Sequence, residues 1–180
     1  IRDKGSLQAM FERTRPDVVF HAAALKHLPI LETFAEEAWK TNVIGTLNLL
    51  DLATKSGVQH FVNISTDKAA EPSSVLGSTK LTAEKLTSWY ADQTETNCVS
   101  VRFGNVFRSR GALISILEEQ IEAGGPVTLT DKDATRYFMS LGEACQRVIA
   151  AACDGDSGDV LVLDMGPPLK IREIAERMIE

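Results

Sequence analysis

Short apolar runs alternate along the chain with longer stretches of helical periodicity, and the alternation predicts the elements. Lys4 to Arg13 reads as a helix, Asp17 to Ala22 as a buried strand and Leu31 to Ser56 as a long helix. The pattern then repeats: His60 to Ile64 as strand, Ser74 to Thr94 as helix, Cys98 to Arg102 as strand, Ala112 to Ala123 as helix. Strands that are continuous apolar runs are buried on both faces, as parallel strands covered by helices are. Turn residues fall between the segments: Arg15-Pro16, Ser56-Gly57 and Gly124-Gly125-Pro126. The expected class is α/β, a doubly wound parallel sheet. Beyond Gly104 the character changes, with short strands at Val127 to Leu129 and Val160 to Leu163, a helix from Leu141 to Ala152 and a terminal helix from Lys170 to Glu180. The expected division is a main domain over 1–103 and a smaller, partly interleaved region over 104–180, laid at the carboxyl edge of the sheet.

Composition narrows the class. A 44% hydrophobic and 24% charged content is that of a globular protein with a full core, and 180 residues suffice for one. The net charge of -6 argues against a nucleic-acid partner, which would call for a basic face. Three cysteines, Cys98, Cys145 and Cys153, are odd in number and lack metal-like spacing, so a reducing, cytoplasmic compartment is expected. No apolar run reaches the roughly 20 residues that span a bilayer. The chain starts at Ile1 without methionine and stops inside a predicted helix, and is read as a piece of a longer protein.

Chemistry gathers at predicted strand ends. Ala22, Ala23 and Ala24 follow the first strand, where a flat ligand can approach the backbone of an open α/β sheet; tight helix packing explains them as well. His21 and His27 lack a third ligand at recognisable spacing, so no metal is expected. Asn42 is a polar residue on the apolar side of the long helix and needs buried partners. Ser65-Thr66-Asp67-Lys68 follows directly on the strand ending at Ile64, and Lys80 lies one helical turn after Leu76, on the same face. Gly104 lets the chain bend beyond the next strand, and Arg108, Arg110 and Arg136 are candidate phosphate partners. Arg136, between apolar aromatics, is the one expected to hold a defined pose.

The segments Phe20 to Pro29, Ser65 to Lys68 with Val75 to Lys80, Arg102 to Gly111 and Gly124 to Met139 resemble, in order and spacing, the extended short-chain dehydrogenase/reductase superfamily. Within it the chain resembles the CapD-like polysaccharide biosynthesis branch of nucleotide-sugar 4,6-dehydratases. Members usually have Tyr where this chain has Leu76; one subgroup, often fused behind membrane-spanning segments, has Met there, and Leu76 looks like a variant of it. The resemblance implies a Rossmann-like fold and a tightly held NAD or NADP. Its cofactor contacts would be Ile1, Ala22, Ala23, Ala24, Lys26, Asn42, Lys80 and Phe103. It implies a UDP-linked N-acetylhexosamine as substrate, met by His27, Asn105, Arg110 and Arg136. A homo-oligomer is expected by analogy, and a longer, membrane-tethered protein at the cytoplasmic face of the inner membrane.

The resemblance also implies roles. Asp67 would be the general acid at the C6 hydroxyl, Lys68 the base at C5 and Lys80 the partner of the nicotinamide ribose. Leucine can neither donate nor accept a proton, so O4 deprotonation must fall to Lys68, to a water held by Thr66 or Ser65, or to Lys80; a water near Thr66 with Lys68 as final acceptor is the expectation. Two departures stand out. The glycine-rich phosphate loop is nowhere in the sequence, its units being expected before residue 1, and Phe107-Arg108 replaces smaller residues. A nucleotide-sugar 4-epimerase is the alternative chemistry, and a catalytically inactive cofactor-binding scaffold the alternative from another class.

Overall fold

The computed structural model describes residues 1–107, 113–129 and 131–179. The first elements are α1 (Lys4–Thr14), β1 (Val18–His21), α2 (Leu28–Thr33), α3 (Ala35–Ala38), a π-helical stretch (Trp39–Ile44) and α4 (Gly45–Lys55). Next come β2 (His60–Ile64), a 3-10 turn (Asp67–Ala69), α5 (Val75–Gln93), β3 (Asn97–Arg102), β4 (Asn105–Val106) and α6 (Leu113–Glu122). The remainder is β5 (Thr135–Arg136), β6 (Phe138–Met139), α7 (Leu141–Asp154), β7 (Val160–Val162), β8 (Leu169–Lys170) and α8 (Ile171–Ile179). Two compact units result, Ile1–Arg102 with Val148–Leu163, and Phe103–Arg147 with Asp164–Glu180. The smaller region foreseen from residue 104 thus lends 148–163 to the first unit.

The first unit is built on four parallel strands in the order β1-β2-β3-β7, flanked by helices: a Rossmann-like α/β fold. Paired residues of parallel strands share a face, so each face can be read in rows across the sheet. One row is Val19, Phe61 and Cys98; with Leu7 and Phe11 of α1 and Leu49, Leu50 and Ala53 of α4 it forms the main core. The next row is His21, Asn63 and Ser100, all buried, with Asn63 Nδ2 donating to Ser100 Oγ at 3.2 Å. Past it stand Ser65 and Arg102. The face therefore runs from apolar to neutral polar to charged toward the carboxyl end, the edge at which open α/β sheets bind ligands.

The long helix expected over Leu31 to Ser56 is broken and begins earlier. It starts at Leu28, with Pro29 in the first turn, where a missing amide hydrogen costs nothing. Phe34, at φ -122° and ψ 59°, leaves helical geometry and separates α2 from α3. The chain then widens into the π stretch, and the Gly45 amide donates to Lys40, five residues back. The strand expected at Val127 to Leu129 is not one: the Thr128 amide donates to Gln120 Oε1 at 3.0 Å, so it is spent on a side chain.

In the second unit β4 runs parallel to β6 and β5 antiparallel to β8. These pairs are two residues long, too short for any period to show. Ser140 and Glu143 cap α7 reciprocally: Ser140 N–H donates to Glu143 Oε2 at 2.9 Å and Glu143 N–H to Ser140 Oγ at 3.2 Å. Phe107 stacks on Phe138 with ring centroids 4.9 Å apart.

Candidate active site

The carboxyl end of β2 gathers Ser65, Thr66, Asp67, Lys68 and Lys80. Thr66 is the N-cap of the 3-10 turn: its hydroxyl accepts the Lys68 amide at 3.4 Å and donates to Asp67 Oδ1 at 2.8 Å. Lys68 Nζ donates to the same Asp67 oxygen at 3.0 Å, and both side chains keep over a quarter of their surface in solvent. The two groups expected to act as acid and base thus form a half-buried ion pair that a ligand can reach.

Lys80 is buried on α5 and donates to the Ile64 carbonyl, the last residue of β2. Burial lowers its pKa to about 8, against the opposing pull of Glu84. Leu76, one turn earlier, is also buried, packed with Leu31 and Ala38. The start of α5 is fixed from two sides: Ser74 Oγ accepts the Gly77 amide at 3.1 Å, and Glu32 Oε1 of α2 accepts the Val75 amide at 2.8 Å. Gly77 lies against the turn carrying Lys68; a Cβ there would come within 3.0 Å of the Lys68 carbonyl oxygen and 3.2 Å of Pro72 Cα.

Asn42 has an account the sequence left open. Its Oδ1 accepts the Leu25 amide at 2.8 Å, while Nδ2 donates to the Leu25 carbonyl at 3.0 Å and to Thr79 Oγ1 at 3.2 Å. Both amide hydrogens are spent, so the side chain clamps the loop after β1 to α5. The π stretch carries it. Thr46 Oγ1 donates to the Asn42 carbonyl at 2.7 Å, so the 2.8 Å bond between Thr46 Oγ1 and His21 Nε2 must take its proton from the histidine. His21 is therefore the neutral Nε2–H tautomer, and burial and the Lys80 charge together hold its pKa at about 3.

Four residues of this site escaped sequence reading: Glu84, Thr79, Thr46 and His21 in its buried role. Glu84 is the most consequential. Its carboxylate, 2% exposed, accepts Arg102 Nε at 2.8 Å and Arg102 Nη2 at 2.6 Å, and the Ser65 hydroxyl at 2.5 Å. The same bonds raise the Arg102 pKa. The spacing from Lys80 to Glu84, one helical turn toward the sheet, was the available signal.

The other expected residues are more dispersed. Ala22, Ala23, Ala24, Lys26 and His27 are exposed in the loop after β1. Ile1 packs against the main core, and its carbonyl accepts Asn48 Nδ2 at 3.2 Å. Phe103, Asn105 and Arg136 belong to the second unit. Arg136 is exposed and donates to its neighbour's carbonyl at Thr135, at 2.7 Å. Arg108 and Arg110 lie outside the described residues. Among the described residues no group of three or more His, Cys, Asp or Glu could hold a metal ion, and no helix is long and apolar enough to cross a membrane.

Small exposed residues, Ala22 to Ala24, thus lie at the end of β1, beside the β2 end where the buried Lys80 ammonium is held. The fold is similar to that of dehydratases and epimerases of the extended short-chain dehydrogenase/reductase superfamily. The whole of the chain, residues 1–180, matches the polysaccharide biosynthesis protein family, and the chain belongs to it. It is 48% identical to an uncharacterized membrane protein of Methanocaldococcus jannaschii, covering 100% of this chain and 54% of that one. It is 44% identical to the capsular polysaccharide biosynthesis protein CapD of Staphylococcus aureus (99% and 30%) and 42% identical to a UDP-glucose 4-epimerase of Rickettsia canadensis (81% and 44%). The chain thus spans about half, or less, of the length of these relatives. Among solved structures, Pen from Bacillus thuringiensis superposes with a TM-score of 0.93 at 35% identity, over 99% of this chain and 55% of that one. The fold is shared by DesIV of Streptomyces venezuelae, a dTDP-glucose 4,6-dehydratase solved with NAD, at a TM-score of 0.90 and 22% identity, over 99% and 60%.

Proposed function

We propose that the protein is a nucleotide-sugar 4,6-dehydratase, a lyase acting on UDP-N-acetylglucosamine or a close UDP-N-acetylhexosamine in surface polysaccharide synthesis. The observation that carries this reading is the Asp67–Lys68 pair, held at 3.0 Å on the turn after β2 and open to a ligand. Epimerisation at C4 needs no acid at C6, whereas elimination of water across C5–C6 needs an acid and a base close together. NAD or NADP, tightly held, would take a hydride from C4 and return it at C6. Ala22 to Ala24, Lys26 and Lys80 would hold its nicotinamide half, with Asn42 fixing the loop, and Ile1 and Phe103 are further contacts in the proposal. His27, Asn105, Arg110 and Arg136 are proposed for the sugar nucleotide.

The chain's own groups divide the proton work. Asp67 must be protonated to release the C6 hydroxyl as water, and Lys68 must be neutral to remove the C5 proton; a neutral Lys68 that takes the O4 proton and hands one on to Asp67, across the existing bond, prepares both at once, and Lys68 returns the C5 proton when C6 is reduced. Leu76 leaves O4 without a phenol. A water accepting the O4 proton, lying against the Thr66 oxygen and passing its own proton to Lys68, fills that role. Thr66 can serve only as an acceptor there, because its hydrogen is given to Asp67. Lys80, with two ammonium hydrogens left after Ile64, stabilises negative charge growing at O4. The longer protein is proposed to act as a homo-oligomer at the cytoplasmic face of a membrane, following the 48% identical membrane protein.

The test is incubation of the whole protein with UDP-N-acetylglucosamine in D2O. A 4-keto, 6-deoxy product with deuterium at C5 is expected. A C4-inverted sugar with its C6 hydroxyl intact would establish epimerisation instead, and binding of NAD and UDP-sugar without C5 exchange would establish an inactive scaffold.

A further inference from the structure

The proposed chemistry makes no use of Glu84, yet this is the most fully engaged buried charge of the first unit. Three donors converge on it from two strands: the hydroxyl of Ser65, just past β2, and two nitrogens of Arg102, at the end of β3. A carboxylate only accepts, so the direction of each bond is fixed. Ser65 must donate its single hydrogen to Glu84, and what remains on its oxygen is lone-pair density. Thr66 is committed in the same way to Asp67. Neither hydroxyl at the end of β2 can then donate to a ligand oxygen; both can accept from one. Ammonium hydrogens of Lys80 and Lys68 are the donors left at this strand end.

We propose that Glu84 is a positioning residue of the site: it turns Ser65 into an obligate acceptor and supplies the buried counter-charge that keeps Lys80 an ammonium donor. The inference rests on the dehydratase reading only for the identity of the ligand. The geometry places Glu84 one turn of α5 beyond Lys80, on the same face. Titratable or charged groups on the elements packed against α5 include Arg102 on β3, Asp67 and Lys68 on the 3-10 turn, Glu32 on α2, Glu36 and Glu37 on α3, Lys40 on the π stretch, Asp51 and Lys55 on α4 and His60 on β2, with His21 on β1 beyond them. Arg102 is bound to Glu84 itself, Asp67 and Lys68 are bound to one another, and His21 is neutral. Of these groups Glu84 is the one whose charge acts on Lys80 to favour its proton, against burial.

The experiment uses the whole protein loaded with NAD, with 13C-labelled lysines, the Lys80 signal being assigned by its loss in Lys80→Arg. In Glu84→Gln the Lys80 titration midpoint should fall by about 1–2 pH units, as expected for removing a nearby opposite charge in a partly shielded site. The alkaline limb of the pH–rate profile should move by a similar amount. Because Glu84→Gln leaves Arg102 uncompensated and can weaken the fold, Glu84→Gln with Arg102→Gln provides a neutral pair; the midpoint should fall there too. An unmoved Lys80 midpoint in the folded double variant overturns the proposal, even if turnover is lost. A midpoint that falls while no 4-keto product forms in wild type or variant upholds Glu84 and removes the dehydratase reading.

Discussion

Gly77→Ala tests how tightly the turn carrying Asp67 and Lys68 is registered against α5. The added methyl would come under 3.0 Å from the Lys68 carbonyl oxygen and 3.2 Å from Pro72 Cα, both backbone atoms that cannot rotate away. Ordinary contact requires the 67–72 turn to retreat by several tenths of an ångström to about 1 Å, or α5 to do so, and α5 is held by Ser74 and Glu32. Overpacking of this kind costs about 1–3 kcal/mol. For a chain of this size that is a fall in Tm of roughly 2–12 °C. The proposed dehydration should suffer more, because displacement of reacting groups by about 1 Å is worth on the order of 100-fold. The assay pairs thermal unfolding with 4-keto product formation, and the expected signature is a modest loss of stability with a large loss of kcat. A variant with unchanged Tm and unchanged turnover would show that Gly77 does not set the position of Lys68.

His21 makes stability depend on acid. Its pKa is about 3 in the folded chain against 6.5 ordinarily, so the unfolded chain binds more protons between those values. The stabilising contribution is complete above about pH 6.5 and is lost as pH falls toward 3, on the order of 3–5 kcal/mol; His21→Leu should flatten that part of the profile in denaturant titrations from pH 7 to 4. Leu76→Tyr must fit a ring among Leu31 and Ala38, and should lower stability by about 1–3 kcal/mol in urea unfolding. If Leu76→Tyr raised turnover many-fold while Thr66→Val left it unchanged, the water relay at Thr66 would be wrong.

The sheet and the turn carrying Asp67 and Lys68 were legible because both are local. The strand His60–Ile64 is an apolar run bounded by turns, and Ser65 to Lys68 follow it without a gap. The broken helix was not legible: Phe34 and the π stretch interrupt a sequence whose apolar spacing continues across them, and the partners of Asn42 on the π stretch, Leu25 and Thr79, are 17 and 37 residues away. Glu84 reads as an ordinary helix-surface acid until Arg102, 18 residues later, is brought beside it. β7 joins the sheet from a stretch beyond the second unit's first segment, an event of chain topology that no local pattern records.

The buried row His21, Asn63 and Ser100 works as a registration key for assembly of the sheet. Side chains alternate between faces, so sliding β2 or β3 by a single residue would swap its polar member for an apolar neighbour and send it to the opposite face. The companions on that face include Val62, Val99 and Val101, all buried, with no donor or acceptor to receive it. A mispaired sheet would then strand several polar groups at once. The correct pairing is thereby distinguished from its nearest competitors before any ligand arrives, and the carboxyl ends of the strands, with Ser65 and Arg102, come out level.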